Sequence, residues 1–294
     1  MSAATTPTPS TAPTGPRLRS ALPLSLPLGL FFVAFVLAPM ALLAWVSLHD
    51  DATLTRFGFT QYTKFLGDSF NLEVLGNTLW LGLKVTLLTV LIGFPLAYLY
   101  TLAPRRWQGP LMLLIVLPLL TSSVVRTFAW VVILGRQGIV NMALLETGLI
   151  AEPLKLLYTP TGVAIALAQI ELPLMVLPLI TALTNLDPNL RQASLALGAG
   201  HWRTFFQVTL PLSMPGLLAG ALLVFASAVS AFVTQTLVGG GQQMFMPFYM
   251  YQQAIQAGNY PFAAVIAVLL LACVLAVVVF INALGRRSRG FVHA

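Results

Sequence analysis

Residues 187–215 read DPNLRQASLALGAGHWRTFFQVTLPLSMP, a mixed stretch set between two long apolar runs. Asp187 followed by Pro188 predicts a helix start. The carboxylate accepts from free backbone N–H groups, and proline at the first helical position lacks an N–H that would have no partner. Leu190, Ala193, Ser194 and Leu197 then fall at i, i+3, i+4 and i+7, giving one small apolar face. Gly198 and Gly200 end that helix in the manner of a left-handed terminus. A second short helix carries Trp202, Phe205 and Phe206 on one side, and Leu210–Pro211 and Met214–Pro215 close the stretch.

The flanking runs set the environment. The chain is 58% hydrophobic and 8% charged, with a mean hydropathy of +0.89. A soluble domain of 294 residues has too little interior for that much apolar surface, so the chain is expected in a bilayer. The net charge of +7 is scattered between apolar runs and forms no patch of the kind that binds nucleic acid. Cys273 is the single cysteine and sits in an apolar run, while His49, His201 and His293 lie far apart. No metal site or cofactor is expected from them.

Taken in order, residues 1–25 are rich in Thr, Pro, Ala and Ser and predict a disordered tail. Residues 26–48 are too long for a cleaved signal and predict a first membrane helix. The remaining unit, 73–284, holds five more expected spans at about 77–101, 110–134, 161–183, 214–238 and 261–284, with a second tail at 285–294. The expected fold is therefore all-α, with six transmembrane helices. Six spans put both termini on one side. If that side is the cytoplasm, the inner segments hold nine arginines (Arg17, Arg19, Arg105, Arg106, Arg191, Arg203, Arg286, Arg287, Arg289). The outer loops hold four cations (Arg56, Lys64, Arg136, Lys155) set against six carboxylates. The excess of inner arginine predicts cytoplasmic termini and a cytoplasmic 187–213 loop. The 239–260 loop then lies outside and carries no charge.

At the 187–213 loop the chain resembles a family. Gln192-Ala193-Ser194, three residues, Gly198, nine residues, Val208-Thr209-Leu210-Pro211 is similar to the EAA loop of permease subunits of ATP-driven importers. Gln192 stands where that loop carries Glu, Ser194 replaces Ala and Val208 replaces Ile, with every spacing kept. Strings such as NTLWLGLKVTLLTVLIGFPLAY and LPLLTSSVVRTFAW extend the resemblance to the spermidine/putrescine-type permeases over about residues 70–285. The resemblance implies a type I importer permease of the bacterial inner membrane. Its implied partners are two cytoplasmic ATPase subunits, a second permease and a periplasmic substrate-binding protein. It implies that Gln192, Ala193, Ser194, Gly198, Trp202, Phe205, Leu210 and Pro211 form an ATPase-coupling loop. The Gln192 replacement removes any salt bridge made by the family's Glu and leaves the apolar face in place.

Within the spans, Lys84, Arg126 and Glu171 are ionisable. A charge facing lipid costs roughly 2.5–3.5 kcal/mol or more, so each is expected to face protein or water. All three are expected in one layer of the outer half of the membrane, as an ion pair of Glu171 with Arg126 or Lys84, or as the lining of a solute cavity. Ser227, Ser230 and Thr234 fall at i, i+3 and i+7, a polar stripe that fits either a pore or a helix contact. No G-x4-GK[ST] phosphate loop is present, and no HExxH or GxSxG motif, so ATP hydrolysis is expected on a separate subunit and no enzymatic role is expected here. Two cations and one anion suit a neutral or anionic solute (a phosphonate, opine or iron chelate) as well as the polyamine that the resemblance implies. The rival reading is an ion-gradient-driven transporter with Lys84, Arg126 and Glu171 as its coupling relay. Such transporters carry an internal repeat, and none is evident between the two halves of this chain.

Overall fold

The computed structural model describes residue 27 and residues 29–289. The expected tail at 1–25 and residues 290–294 of the second tail lie outside the described residues. All regular elements among the described residues are helical, and six helical segments are long and apolar enough to cross a membrane. In chain order the helices are α1 (Gly29–Ser47), α2 (Thr60–Gly67), α3 (Ser69–Leu102), α4 (Arg105–Val116), α5 (Ser123–Leu134), α6 (Ile139–Glu146), α7 (Pro160–Thr184), α8 (Pro188–Ala196), α9 (His201–Ser230), α10 (Phe232–Gly239), α11 (Met246–Tyr251) and α12 (Tyr260–Arg289).

The starts follow from local chemistry. The Asp68 carboxylate accepts from Phe70 N–H at 3.0 Å and opens α3. Thr159 accepts from Gly162 N–H at 3.1 Å ahead of Pro160, and opens α7. Inside the apolar helices, hydroxyls are satisfied by their own backbone, as when Thr78 donates to Val74 O and Thr86 to Gly82 O.

Helices α3, α7 and α9 pack against one another and form the centre of the bundle. Glycine makes this possible. A Cβ on Gly82 would lie 2.5 Å from Val229, one on Gly220 2.9 Å from Met175 Sδ, and one on Gly216 2.6 Å from the Pro178 carbonyl oxygen. Such small-residue contacts let backbones approach where lipid removes the hydrophobic drive between helices. Helix α7 is the most enclosed, with Leu167, Met175, Val176 and Leu179 fully buried. A smaller core joins Phe65, Met246, Tyr249, Phe262 and Ile266. Helix α1 packs on α12 with its outer side bare.

Two expected spans are built differently. The third, expected as one helix over 110–134, is divided: α4 ends at Val116, a 3-10 turn covers Leu117–Leu120, Thr121 and Ser122 are extended, and α5 begins at Ser123. Pro118 starts the turn, and a 12-residue helix of about 18 Å cannot cross about 30 Å of hydrocarbon alone. The segment long and apolar enough to cross is Ser123–Glu146, in which a turn at residues 135–138 separates α5 from α6.

The fifth span, expected at 214–238, begins earlier and breaks sooner. α9 runs unbroken from His201 through Pro211 and Pro215, and stops at Ser230. A π-helical segment at Phe205–Thr209 precedes Pro211, with Leu210 N–H bonded to Phe205 O five residues back. The wider turn accommodates a proline that has no N–H to give the preceding turn. Leu210–Pro211 and Met214–Pro215 therefore do not close the loop; they lie inside one helix. Ala231 (ψ 73°) then separates α9 from α10.

Candidate functional site

At one end of the bundle, α8 lies across the ends of α3, α7 and α9. Asp187 caps it, its carboxylate accepting from Asn189 N–H at 2.9 Å. The helix ends in paired bonds, Gly198 N–H to Leu195 O at 3.0 Å and Ala199 N–H to Ser194 O at 3.2 Å, with Gly198 at φ +85°. That is a left-handed terminus, and glycine is the residue that adopts it without a Cβ penalty. The chain re-enters helix at His201, and a hydroxyl pair, Ser194 Oγ to buried Thr204 Oγ1 at 3.0 Å, ties α8 to the first turn of α9. Arg191 lies over the Tyr98 ring of α3 at 5.8 Å. Between α8 and the helix ends is a cavity of about 510 Å³, lined by Tyr98, Thr184, Asp187, Arg191, Gln192 and Thr209 among others.

The aromatic residues of this end divide into two groups. Phe205 points inward, its ring 5.5 Å from Phe94 and 5.4 Å from Tyr98, both edge-on. Trp202 (78% exposed) and Phe206 (56%) stack on each other at 6.2 Å on the outside, near Leu197 (89%). Trp202, Phe205 and Phe206 thus do not share one side. Trp202 and Phe206, four residues apart, lie together on the outer side, and Phe205 is the inward anchor. Gln192, Ala193 and Pro211 are exposed, and Leu210 is half-buried.

The ionisable residues of the bundle interior do not form one cluster. Arg126 Nη1 donates to Ile170 O at 3.1 Å, and its buried Nε has no partner among the described residues. Glu171 is 7% exposed, with the Ser227 hydroxyl at its carboxylate and the Arg126 charge nearby. Lys84 is elsewhere, its Nζ 5.4 Å over the Trp80 ring at the rim of a cavity of about 300 Å³ shared with Glu73, Asn77, Gln242 and Gln243. The Ser227–Ser230–Thr234 stripe is also divided, because the break at Ala231 turns it. Ser230 is exposed and bonds back to Ala226 O, while buried Thr234 meets Thr127 of α5 at 2.9 Å. Among the described residues, no three His, Cys, Asp or Glu side chains come together as metal ligands.

The inner-membrane component of binding-protein-dependent transport systems is a known family, and its model matches residues 89–290. The chain belongs to that family. Among its relatives, the spermidine/putrescine transport system permease PotB of Escherichia coli K12 is 33% identical over 244 residues, 82% of this chain and 88% of PotB. The molybdenum transport system permease ModB of the same organism is 32% identical over 216 residues, 71% of this chain and 93% of ModB. A crystal structure of a bacterial ABC transporter that imports the acidic polysaccharide alginate superposes with a TM-score of 0.71 at 19% identity, over 92% of this chain and 96% of that one. The chain is thus a permease subunit of an ABC importer, and its relatives are inner-membrane permeases.

The sequence around Arg126 already brings out Thr121, Ser122, Ser123, Thr127 and Trp130, but reading by charge misses Trp80 and the neutral partner of Trp130. Trp80 stands four residues before Lys84, and Trp130 four after Arg126. That spacing places each indole beside a cation on one helix face. Trp130 Nε1 donates to Gln169 Oε1 at 2.9 Å, a contact across 39 residues that no local pattern signals. Gln235 is the other residue missed: it is buried, and its Nε2 donates to Ala228 O at 2.8 Å across the α9–α10 break.

Proposed function

We propose that this chain is one of two permease subunits of an importer for a polyamine-like solute. Its loop end faces the cytoplasm and docks an ATPase, and two ATPase subunits serve the pair. The observation that carries this reading is the continuity of α9. The segment after Gly198 is the same helix that crosses the membrane, so a push on Trp202 and Phe206 is transmitted along α9 to Glu171 and the break at Ala231. The excess of inner arginine supports the orientation, with both ends of the chain on the ATPase side. A periplasmic binding protein delivers solute to the opposite end. One such chain supplies one wall of a path, so a second permease closes it.

The solute class follows the relationship to PotB, a spermidine/putrescine permease. A second reading rests on Arg126, whose partnerless Nε favours an anion, and on the relationship to ModB, a molybdenum system permease. The test is purification of the native complex followed by reconstitution with its binding protein. An ATPase and a second permease should co-purify, and ATP-driven uptake should be saturable by spermidine and indifferent to molybdate. A chain that purifies with no ATPase sinks the importer assignment, and uptake competed by molybdate alone replaces the polyamine with an oxyanion.

A further inference from the structure

The end of the bundle opposite the 187–213 loop carries few cations, and two of them share a cavity. Helix α7 spans the distance between the ends. Its last residue, Thr184, lines the loop-end cavity, and Pro160 begins it 25 residues earlier, about 38 Å away. That length exceeds the roughly 30 Å of hydrocarbon, so with one end at a membrane surface the residues just before Pro160 lie among the opposite headgroups. Here a cavity of about 410 Å³ is lined by Leu134, Arg136, Lys155, Leu156, Leu157 and Tyr158, with no carboxylate among them. Its walls are fixed. Buried Asn141 of α6 donates through Nδ2 to Gly135 O and Leu154 O, each at 3.0 Å, and its Oδ1 accepts from Leu154 N–H at 2.8 Å. One amide thus pins the residue before Arg136 to the residue before Lys155. Tyr158 is held at φ +63°, a left-handed conformation that a tyrosine keeps only under constraint. Its N–H donates to Val238 O at 2.9 Å, and its ring occupies the space where a side chain on Gly240 would stand.

Of the other cations at this end, Lys64 is engaged by the Phe262 ring at 5.0 Å. Arg136 and Lys155 are both exposed, and two like charges held at one mouth repel unless an anion stands between them. The surface around the mouth selects the kind of anion. Val132 of α5, Ile139 and Met142 of α6, and Leu149 all stand exposed, so the cations rim an apolar surface. We propose that this cavity seats an anionic phospholipid, with its phosphate between Arg136 and Lys155 and an acyl chain along the apolar side of α5 and α6. Long cationic side chains lay their stems on apolar surface and carry the charge to the headgroup level, where basic pockets bind lipid phosphate. The seat reaches the transport helices through Tyr158, whose N–H holds α10 at Val238. An occupied seat therefore steadies α10, the segment beyond the α9 break. The assignment depends neither on the solute nor on which end faces the cytoplasm.

The test uses the purified complex in nanodiscs of phosphatidylcholine, alone or mixed with phosphatidylglycerol. Hydrogen exchange in peptides covering 154–159 and 236–241 should slow several-fold in the mixed discs, with the 48–60 loop unchanged. Arg136→Gln/Lys155→Gln should abolish the slowing. In native mass spectra of the extracted complex, that double variant should also retain several-fold less phosphatidylglycerol relative to phosphatidylcholine. Arg56→Gln removes a cation of the same end outside the cavity and should match the parent. An unchanged lipid ratio in the double variant, or an equal loss in Arg56→Gln, overturns the seat. Inorganic phosphate added to phosphatidylcholine discs should leave exchange as it was; slowing by phosphate makes the ligand a free oxyanion and overturns the lipid. Lipid retention with exchange at 236–241 unmoved overturns the link to α10. Loss of the binding protein from the double variant with its lipid ratio intact overturns the lipid and assigns the two cations to protein docking.

Discussion

A side chain added at Gly216 meets the Pro178 carbonyl oxygen at 2.6 Å, whereas one added at Gly198 meets nothing within 4 Å. The two glycines therefore fail differently. At Gly216 the obstacle is backbone, which cannot rotate away, so Gly216→Ala must separate α9 from α7 at a cost of about 1–3 kcal/mol. Permease abundance in the membrane should fall. At Gly198 the cost is conformational, about 1–2 kcal/mol for a Cβ in the left-handed region, with Asn tolerated better. Abundance of Gly198→Ala and Gly198→Asn should stay near normal on immunoblots, with uptake reduced more in Ala than in Asn. Gly198→Asp adds a charge at the proposed docking face, and normal uptake in that variant would remove the loop from the coupling path. Asp51, in the 48–60 loop, is a different case. The hydroxyls of Thr53 and Thr55 and the Arg56 N–H hold its carboxyl well below the usual carboxylate range. A depressed value contributes order above the unfolded pKa and loses it as pH falls through the folded one. The loop's resistance to proteolysis should thus be unchanged from pH 7 to pH 5, and be lower at both in Asp51→Asn.

At the scale of elements, α5 and α10 are short helices that begin inside the bundle and are tied together by the Thr127–Thr234 bond. Thr127 also donates to Ser123 O at 2.8 Å, so it can lose Thr234 without stranding its hydroxyl. Thr234→Val should therefore cost little more than the shared bond, about 0.6–1.7 kcal/mol for a hydrogen bond between membrane helices. A Thr127→Val/Thr234→Val double-mutant cycle read by thermal unfolding should return a coupling in that range; a coupling of zero separates the two helices. Gln235→Leu leaves Ala228 O without its side-chain donor at the break and should lower the melting temperature further. These elements also mark how far the sequence could be read. Capped starts at Asp187 and the glycine terminus at Gly198 are local events, written in neighbouring residues. The break at Thr121–Ser122 carries a local mark in Pro118 and the hydroxyl run after it, but the break at Ala231 does not, because SAVSAFV is as apolar as the helices around it. A hydropathy profile records solvent preference, and says nothing about where a carbonyl finds its donor. Buried Gln235, 1% exposed in an apolar run, was the available signal.

At the scale of the whole molecule, two exposed aromatic surfaces need different explanations. Along α1 and α12, exposed Phe, Leu and Val suit lipid, and no charged side chain interrupts them over the described spans. Leu197, Trp202 and Phe206 also stand exposed, but beside exposed His201, Arg203 and Gln207 at the loop end of the bundle. Apolar residues rimmed by polar ones mark a protein contact. Phe205 supplies the internal control, because it is sequence-adjacent to the patch yet packs on Phe94 and Tyr98. Removing it opens a cavity in the bundle, and large aromatic-to-alanine changes in a core cost about 3–5 kcal/mol. Phe205→Ala should accordingly lower abundance. Trp202→Ala and Phe206→Ala delete surface that stands exposed among the described residues, so abundance should hold while the ATPase recovered with the purified complex falls, most in the double variant. Orientation is checked on the same preparations. A cysteine at position 253, in the uncharged loop, should react with an impermeant maleimide on whole cells, and one at position 202 only after the cells are opened. Equal recovery of ATPase from the Trp202→Ala/Phe206→Ala variant and its parent would place the docking surface elsewhere on the loop end, with the Gln192-lined cavity as the next surface to probe.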